Sequence, residues 1–548
     1  VIMKKLYSFG FFLLFFISVS GNTEAQQNDI YFLIKKNFSI FSKTYENVAL
    51  DYVDQVDPEK LMRVGLDAML ETLDPYTVIY NESQNEQAEI LSRGNYAGIG
   101  IEAGYREGKV VIIAPTENGP AERSGLKAGD EIIAIDDIST ENLQPEEVQS
   151  LTIGEVGSKV KITIQRFGVN QEWDFELTRE SIEVKNVSHT TLIGSSKEIG
   201  YIKLSQFGLR SADEIRSSII ELRNQATLKG LVLDLRDNPG GILQEAVSII
   251  DKFVEPGLMV VENRGRIAEY NQTFSTNEPI FFNEPVVVLV NGGSASASEV
   301  VSGALQDLDR AVILGEQSFG KGLVQIVKPL PYNTSMKVTI ARYYIPSGRS
   351  IQSIDYTHEG RNSGVVKRET SSTIFKTKNG RIVNEGRGIE PDVVIEIEEP
   401  GLIEIALLQK GAIFDFTTEY YSRNQNSDFA EIPEGIFETF KEYLTQTGFS
   451  FANETEDYLN VIENDLAGVD GAESRINDLR KLVALQKEKE LDGSKSFIEK
   501  LIWLELRARS GGQTARTNAS LSKDVQLNAA IDLINNPDEI DSLLKGNN

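Results

Sequence analysis

Cysteine is absent from all 548 residues. That excludes disulfides, thiolate metal sites and a cysteine nucleophile, and it leaves the redox compartment open. Histidine is almost absent as well, with only His189 and His358. A hydroxyl nucleophile could use the usual imidazole base only if one of these folds onto it, and neither stands in a motif tied to a serine turn. Basic residues are outnumbered, 55 against 82 acidic, for a net charge of −27. Phosphate backbones would be repelled, which argues against nucleic-acid binding. The chain has no internal repeat or low-complexity tract, and the apolar run Phe11 to Val19 is too short to span a bilayer comfortably. That run follows Met3-Lys4-Lys5 and precedes the small-x-small site Thr23-Glu24-Ala25, so residues 1–25 read as an export signal. The expectation is an exported protein, periplasmic if the cell has two membranes. Residual membrane association through the N-terminal segment stays open.

What is present is ordinary globular material, 40% hydrophobic and long enough for several domains. It is organised around residues 285–325. Val286 to Val290 has the length and β-branching of a buried strand and runs into Asn291-Gly292-Gly293. Beyond it Ala297, Val300, Val301, Ala304, Leu305 and Leu308 recur at helical spacing. The reading is strand, tight turn, helix, with Ser294, Ser296 and Ser298 at the turn. Unpaired amides at a helix start can hold a developing negative charge beside a serine hydroxyl. With imidazole scarce, lysine is the other base to consider. Lys321 lies in Ser318-Phe319-Gly320-Lys321-Gly322, and Gln325 follows by an even number of residues, so in extended chain the two share a face. A lysine that is neutral near pH 7 needs its pKa depressed by roughly 3 units, or about 4 kcal/mol, which burial can supply. Leu314, Phe319, Leu323 and Val324 are the expected apolar surroundings, and no acidic residue adjoins Lys321 in sequence. Ser294 and Ser298 read as turn and capping residues. Glu299 reads as doing no more than favouring the positive end of the helix.

SASASE followed by FGKGLVQ resembles the carboxy-terminal processing peptidases, or tail-specific proteases, of the S41 serine peptidase family, and the resemblance spans roughly residues 55–398. It implies that Ser296 is the nucleophile, Lys321 the base and Gln325 its assistant. It also implies an α/β multidomain fold: a core similar to the crotonase and Clp-protease superfamily, built of ββα units, with an inserted PDZ domain and helical N- and C-terminal regions. By that comparison, Ala297 and either Gly240 or Gly241 of Arg236-Asp237-Asn238-Pro239-Gly240-Gly241 supply the oxyanion amides. No metal or cofactor is called for.

Residues 28–92 read as helical and as packing without chemistry, with Leu73-Asp74-Pro75 ending the run in a sequence like the family's. Residues 95–168 resemble a circularly permuted PDZ domain. Gly98, Ile99, Gly100 and Ile101 would bind a peptide's terminal carboxylate, and the adjoining strand would pair with its backbone. Members often carry arginine-glycine before the last strand, whereas this chain reads Ile153-Gly154-Glu155-Val156-Gly157. Residues 175–398 form the expected protease core. Residues 401–548 read as charged helices with Phe497, Leu501, Leu504 and Ala508 as a core stripe, and docking, homodimer formation and bracing stay unseparated there. The expected partners are proteins with exposed C-terminal tails. Two alternatives remain: a non-catalytic PDZ adaptor with an inactive core, and an acyl-thioester enzyme of crotonase type.

Overall fold

Val286–Val290 lies inside a six-stranded sheet, and its neighbours explain why it is apolar on both sides. The order is Val187–Ile193, Ile199–Leu204, Gly230–Asp234, Val286–Val290, Val312–Gly315, Val393–Val394, antiparallel in the first pair and parallel thereafter. Parallel strands covered on both faces read as continuous apolar runs. Helices Ser211–Gln225, Leu243–Ile250 and Ala297–Asp307 bury one face of the sheet. The C-terminal helices Val525–Asn535 and Pro537–Lys545 bury the other. The description comes from a computed structural model covering residues 29–546 apart from 83, 86–93, 107, 357–365, 368–372 and 452–453. The expected export signal and His358 lie outside the described residues.

A second sheet forms around the long strand Ser335–Tyr344, which pairs with Leu323–Pro329, Met259–Arg264 and Val78–Tyr80. The last pairing departs from the helical expectation for residues 28–92. Helices do occupy residues 29–51 and Pro58–Glu71. Asp74-Pro75 then breaks the helical run, and Val78 pairs opposite Lys337 at a sheet edge.

In the region expected to be a PDZ domain, strands Ile101–Arg106, Lys109–Pro115, Glu131–Ile135, Lys159–Gln165 and Glu172–Thr178 form one sheet, with helix Pro145–Thr152 beside it. Their inward residues make a separate core that includes Ile112, Ile132 and Ile162. The sheet runs past residue 168, and Glu180–Glu183 returns to pair with Asn95–Gly98. Ile101–Arg106 is an edge strand. Arg179 is buried behind residues 153–157 and donates to the carbonyls of Leu151 and Thr152 at the end of the helix.

The C-terminal helices make their own core, including Phe416, Phe437 and Phe440. Of the stripe expected at Phe497, Leu501, Leu504 and Ala508, Leu504 is buried beside Trp503 and Leu501 packs on the edge of the core, while Ile498, Ile502 and Leu506 are the fully buried set. The helix is apolar around more than one stripe, and packing against Phe440 and its neighbours buries Ile498, Ile502 and Leu506 most deeply. Helix Lys495–Leu521 breaks at Gly511 and Gly512. There Thr514 donates to Glu117 of the PDZ-like region, while further on Asp524 accepts from Arg236 of the core.

Candidate active site

The strand-turn-helix delivers Ser296 in an unusual backbone conformation. Its φ is +55° and ψ −112°, immediately before helix Ala297–Asp307, and so strained a setting for a non-glycine residue is a recurrent feature of functional turns. The serines on either side tie the turn down. Ser294 Oγ donates to the Leu235 carbonyl at 2.8 Å, and Ser298 Oγ donates to the Asn238 carbonyl at 2.8 Å. Asn238 is the hub on the facing loop. Its Nδ2 donates to the Leu204 carbonyl, its Oδ1 accepts from Gly240 N at 2.9 Å, and its own carbonyl accepts from Ala295 N at 3.0 Å.

These bonds set Pro239-Gly240-Gly241 against the serine. A side chain at Gly240 would come within 2.8 Å of Ser296 Cβ and 2.9 Å of Ala297 N, and its φ is +98°, so the position requires glycine. Gly240 N is already taken by Asn238. Among the described residues, the amides of Ala297 and Gly241 have no hydrogen-bond acceptor.

Glu299 is the residue the sequence reading misjudged. It is fully buried and does much more than face a helix dipole. Its Oε2 accepts from Ser296 N and from Lys321 N, each at 2.8 Å. Its Oε1 accepts from Ser318 Oγ and Gly320 N, each at 2.6 Å. The amides of Ser296 and Lys321 therefore lie no further apart than twice the length of one such bond. Burial pushes the carboxyl up to about 7 against the pull of these four donors. The available signal was a glutamate three residues after the turn serine, the spacing of a capping box.

Lys321 has its pKa pushed down to about 8, chiefly by burial and then by the charge of Lys337, while Glu299 and Asp74 favour the ammonium. Its surroundings differ from those expected. Leu314 packs on the opposite face of the core sheet, Phe319 is 48% exposed, and two carboxylates face the amine through space. Leu323 and Val324 are buried as expected. Lys321 Nζ lies 4.5 Å from the centre of the Tyr76 ring. Among the described residues no hydrogen bond joins Lys321 Nζ to Ser296 Oγ. The Tyr343 hydroxyl is pushed up to about 12 by burial, with the neighbouring Ser296 side chain opposing.

Gln325 stands in strand Leu323–Pro329 opposite Thr339, where the register shifts because the partner strand carries one extra residue, Ile340. Gln325 Nε2 donates to Thr339 Oγ1 at 3.2 Å. His189 is remote from the turn chemistry. It is buried against Asn518, with Nε2 3.0 Å from Oδ1, and burial lowers its pKa. In the other candidate site, Ile99 is buried, and Gly100 takes φ +72° with its carbonyl accepting from Thr116 N. The amides of Ile99 and Gly100 have no acceptor among the described residues. Nor does any group of three or more histidine, aspartate and glutamate side chains stand where it could hold a metal ion, among the described residues.

Comparison with known proteins agrees with this organisation. The profile of peptidase family S41 matches residues 198–360, a PDZ domain profile matches 111–166, and that of the probable PDZ-protease C-terminal helical domain matches 403–534. A carboxy-terminal-processing protease of Bartonella bacilliformis is 37% identical over 326 residues, which is 59% of this chain and 74% of the relative. The carboxy-terminal processing protease CtpB of Bacillus subtilis is 34% identical over 313 residues, 56% of this chain and 64% of the relative. Among solved structures, a photosystem II D1 C-terminal processing protease is 27% identical and matches 65% of this chain and 92% of its own, with a TM-score of 0.34.

Proposed function

The chain belongs to peptidase family S41, among the carboxy-terminal processing proteases, and from that premise we propose that it cleaves peptide bonds with Ser296 as nucleophile and Lys321 as general base. The observation that carries this reading is the Glu299 carboxylate, which bonds the backbone of both residues through one oxygen. A lysine with its pKa near 8 is neutral in a substantial fraction of molecules at mildly alkaline pH. In the reaction, Lys321 Nζ takes the Ser296 proton as Oγ bonds to the substrate carbonyl carbon. The amides of Ala297 and Gly241 are the candidates to hold the oxyanion, because Gly240 N is already engaged. The ammonium then protonates the leaving amine, the C–N bond breaks, and an acyl ester remains on Ser296. Lys321 next removes a proton from water, which hydrolyses that ester. Gln325 acts at one remove, through Thr339 and the strand that carries it.

Substrate capture is assigned to the PDZ domain. The unengaged amides of Ile99 and Gly100 suit a terminal carboxylate, Gly98 and Ile101 flank them, and the free edge of Ile101–Arg106 can accept the tail as an added strand. The substrates are then proteins with exposed C-terminal tails, met outside the cytoplasm if residues 1–25 direct export. The test is cleavage of one peptide with a free and an amidated C-terminus by wild type, Ser296→Ala and Lys321→Ala. Wild type is expected to prefer the free acid, and both variants to be inactive. Equal cleavage of the two peptides sinks tail capture, and activity retained by either variant sinks the dyad.

A further inference from the structure

The N-terminal region reaches the reaction centre through one turn. Asp74 Oδ1 accepts from the amides of Tyr76 and Thr77, each at 2.9 Å, and its Oδ2 accepts from Thr77 Oγ1. Thr77 Oγ1 in turn accepts from Thr339 N at 3.2 Å, and Val78–Tyr80 pairs along Ser335–Lys337. Arg63, on the preceding helix, donates to the Ile79 carbonyl. The turn is thus pinned to the strand that faces Gln325 and to the preceding helix. The side chain it presents is Tyr76, with its ring face 4.5 Å from Lys321 Nζ. Tyr356 meets that ring edge-on at 6.1 Å.

We infer that Tyr76 is a positioning residue for Lys321: its ring seats the amine on the N-terminal side of the site and sets how readily the ammonium gives up its proton. The inference rests on the reading of Lys321 as general base. Two opposed effects follow from one ring. Its π face attracts the ammonium, while its bulk excludes the water that would otherwise solvate the charge. The remaining groups facing Lys321 are Glu299 and Asp74, which favour the ammonium, and Lys337, which opposes it. None of them changes when residue 76 is replaced. No hydroxyl chemistry is required of Tyr76, so phenylalanine should substitute for it at the amine.

The experiment measures kcat/KM against pH on a tailed peptide for wild type, Tyr76→Phe, Tyr76→Leu and Tyr76→Ala in the full chain. In parallel, Lys321 is titrated without turnover by competitive acetylation read by mass spectrometry. Phe should leave the acid limb where wild type has it. Leu keeps the bulk but loses the π face, so the limb and the acetylation midpoint should move down by about half a pH unit to one unit. Ala admits water and should move both up. Superimposed limbs and midpoints for all four proteins, with only the height of kcat changed, overturn the inference, because a merely structural residue would do that. Activity retained by Lys321→Ala overturns the base assignment instead, and the acetylation midpoints still report whether residue 76 governs the amine.

Discussion

Four donors converge on the two oxygens of Glu299, so its ionised form is the species the site is built around. Glu299→Gln would turn an NH2 toward at least one amide and leave buried donors unpaired, at about 1–3 kcal/mol each. A fall in melting temperature of about 4–10 °C is expected, together with loss of most activity. A thermal melt and a peptide assay check both, and an unchanged melt counts against the clamp. The pH profile follows from two residues. On the proposed mechanism the neutral amine is the active form of Lys321, so kcat/KM should rise about tenfold per pH unit just below about 8 and level off above it. Below about 7 the Glu299 carboxyl takes up a proton as well, and the limb should steepen there. In Glu299→Gln whatever activity remains should lack that steepening. At this scale Ser296 and Lys321 were legible as candidates, because two short motifs carry them. Glu299 and Tyr76 were not, because what makes each matter is a partner distant in sequence: the Ser318 to Lys321 loop for one, Lys321 for the other.

Two loops and one hairpin place the chemistry at the scale of elements. The turn after Gly230–Asp234 is bonded through Asn238 to the turn after Val286–Val290, so neighbouring parallel strands present their loops to one another at the same end of the sheet. Gly240→Ala would push the first loop off Ser296. A drop in kcat on the order of 10²–10³ is expected, with tail-peptide binding to the PDZ domain unchanged by calorimetry. Gly100→Val should do the reverse. A β-branched residue at φ +72° beside Thr116 distorts the loop, so KM for a tailed peptide should rise about tenfold or more while kcat stays put. If kcat falls with it, capture and chemistry are not separable in this way. Strand and helix positions were largely readable from apolar periodicity, including Ile199–Leu204 and Val286–Val290. The bulge at Ile340, across from Gln325, was not, since one extra residue in a strand leaves no mark on composition.

At the scale of the molecule, the C-terminal region braces the core and touches the PDZ domain at once. Val525–Asn535 and Pro537–Lys545 close the second face of the core sheet, while Glu117 holds the Gly511-Gly512 break. Between these contacts, Arg236 bridges Asp234 and Asp524, and Tyr201 donates to Asp234. Arg236 opens the loop that leads to Asn238 and Gly241, so the C-terminal region steadies the loop proposed to hold the oxyanion. Asp524→Ala should destabilise the core by about 1.5–3 kcal/mol and lower kcat without weakening tail binding. Calorimetric unfolding alongside the peptide assay checks this, and an unaltered core transition would show the bridge to be idle.

The residues alone determined the reaction class and the order of the domains. A serine at a strand-to-helix turn, a glycine-flanked lysine and the want of cysteine and histidine are local facts, and local facts survive without coordinates. Only the tertiary structure decided which groups surround that lysine, which glycine amide is unengaged, and what the last helices cover. Each of these depends on segments tens to hundreds of residues apart meeting in a close-packed interior, where burial and hydrogen-bond partners are fixed by neighbours that sequence order does not reveal.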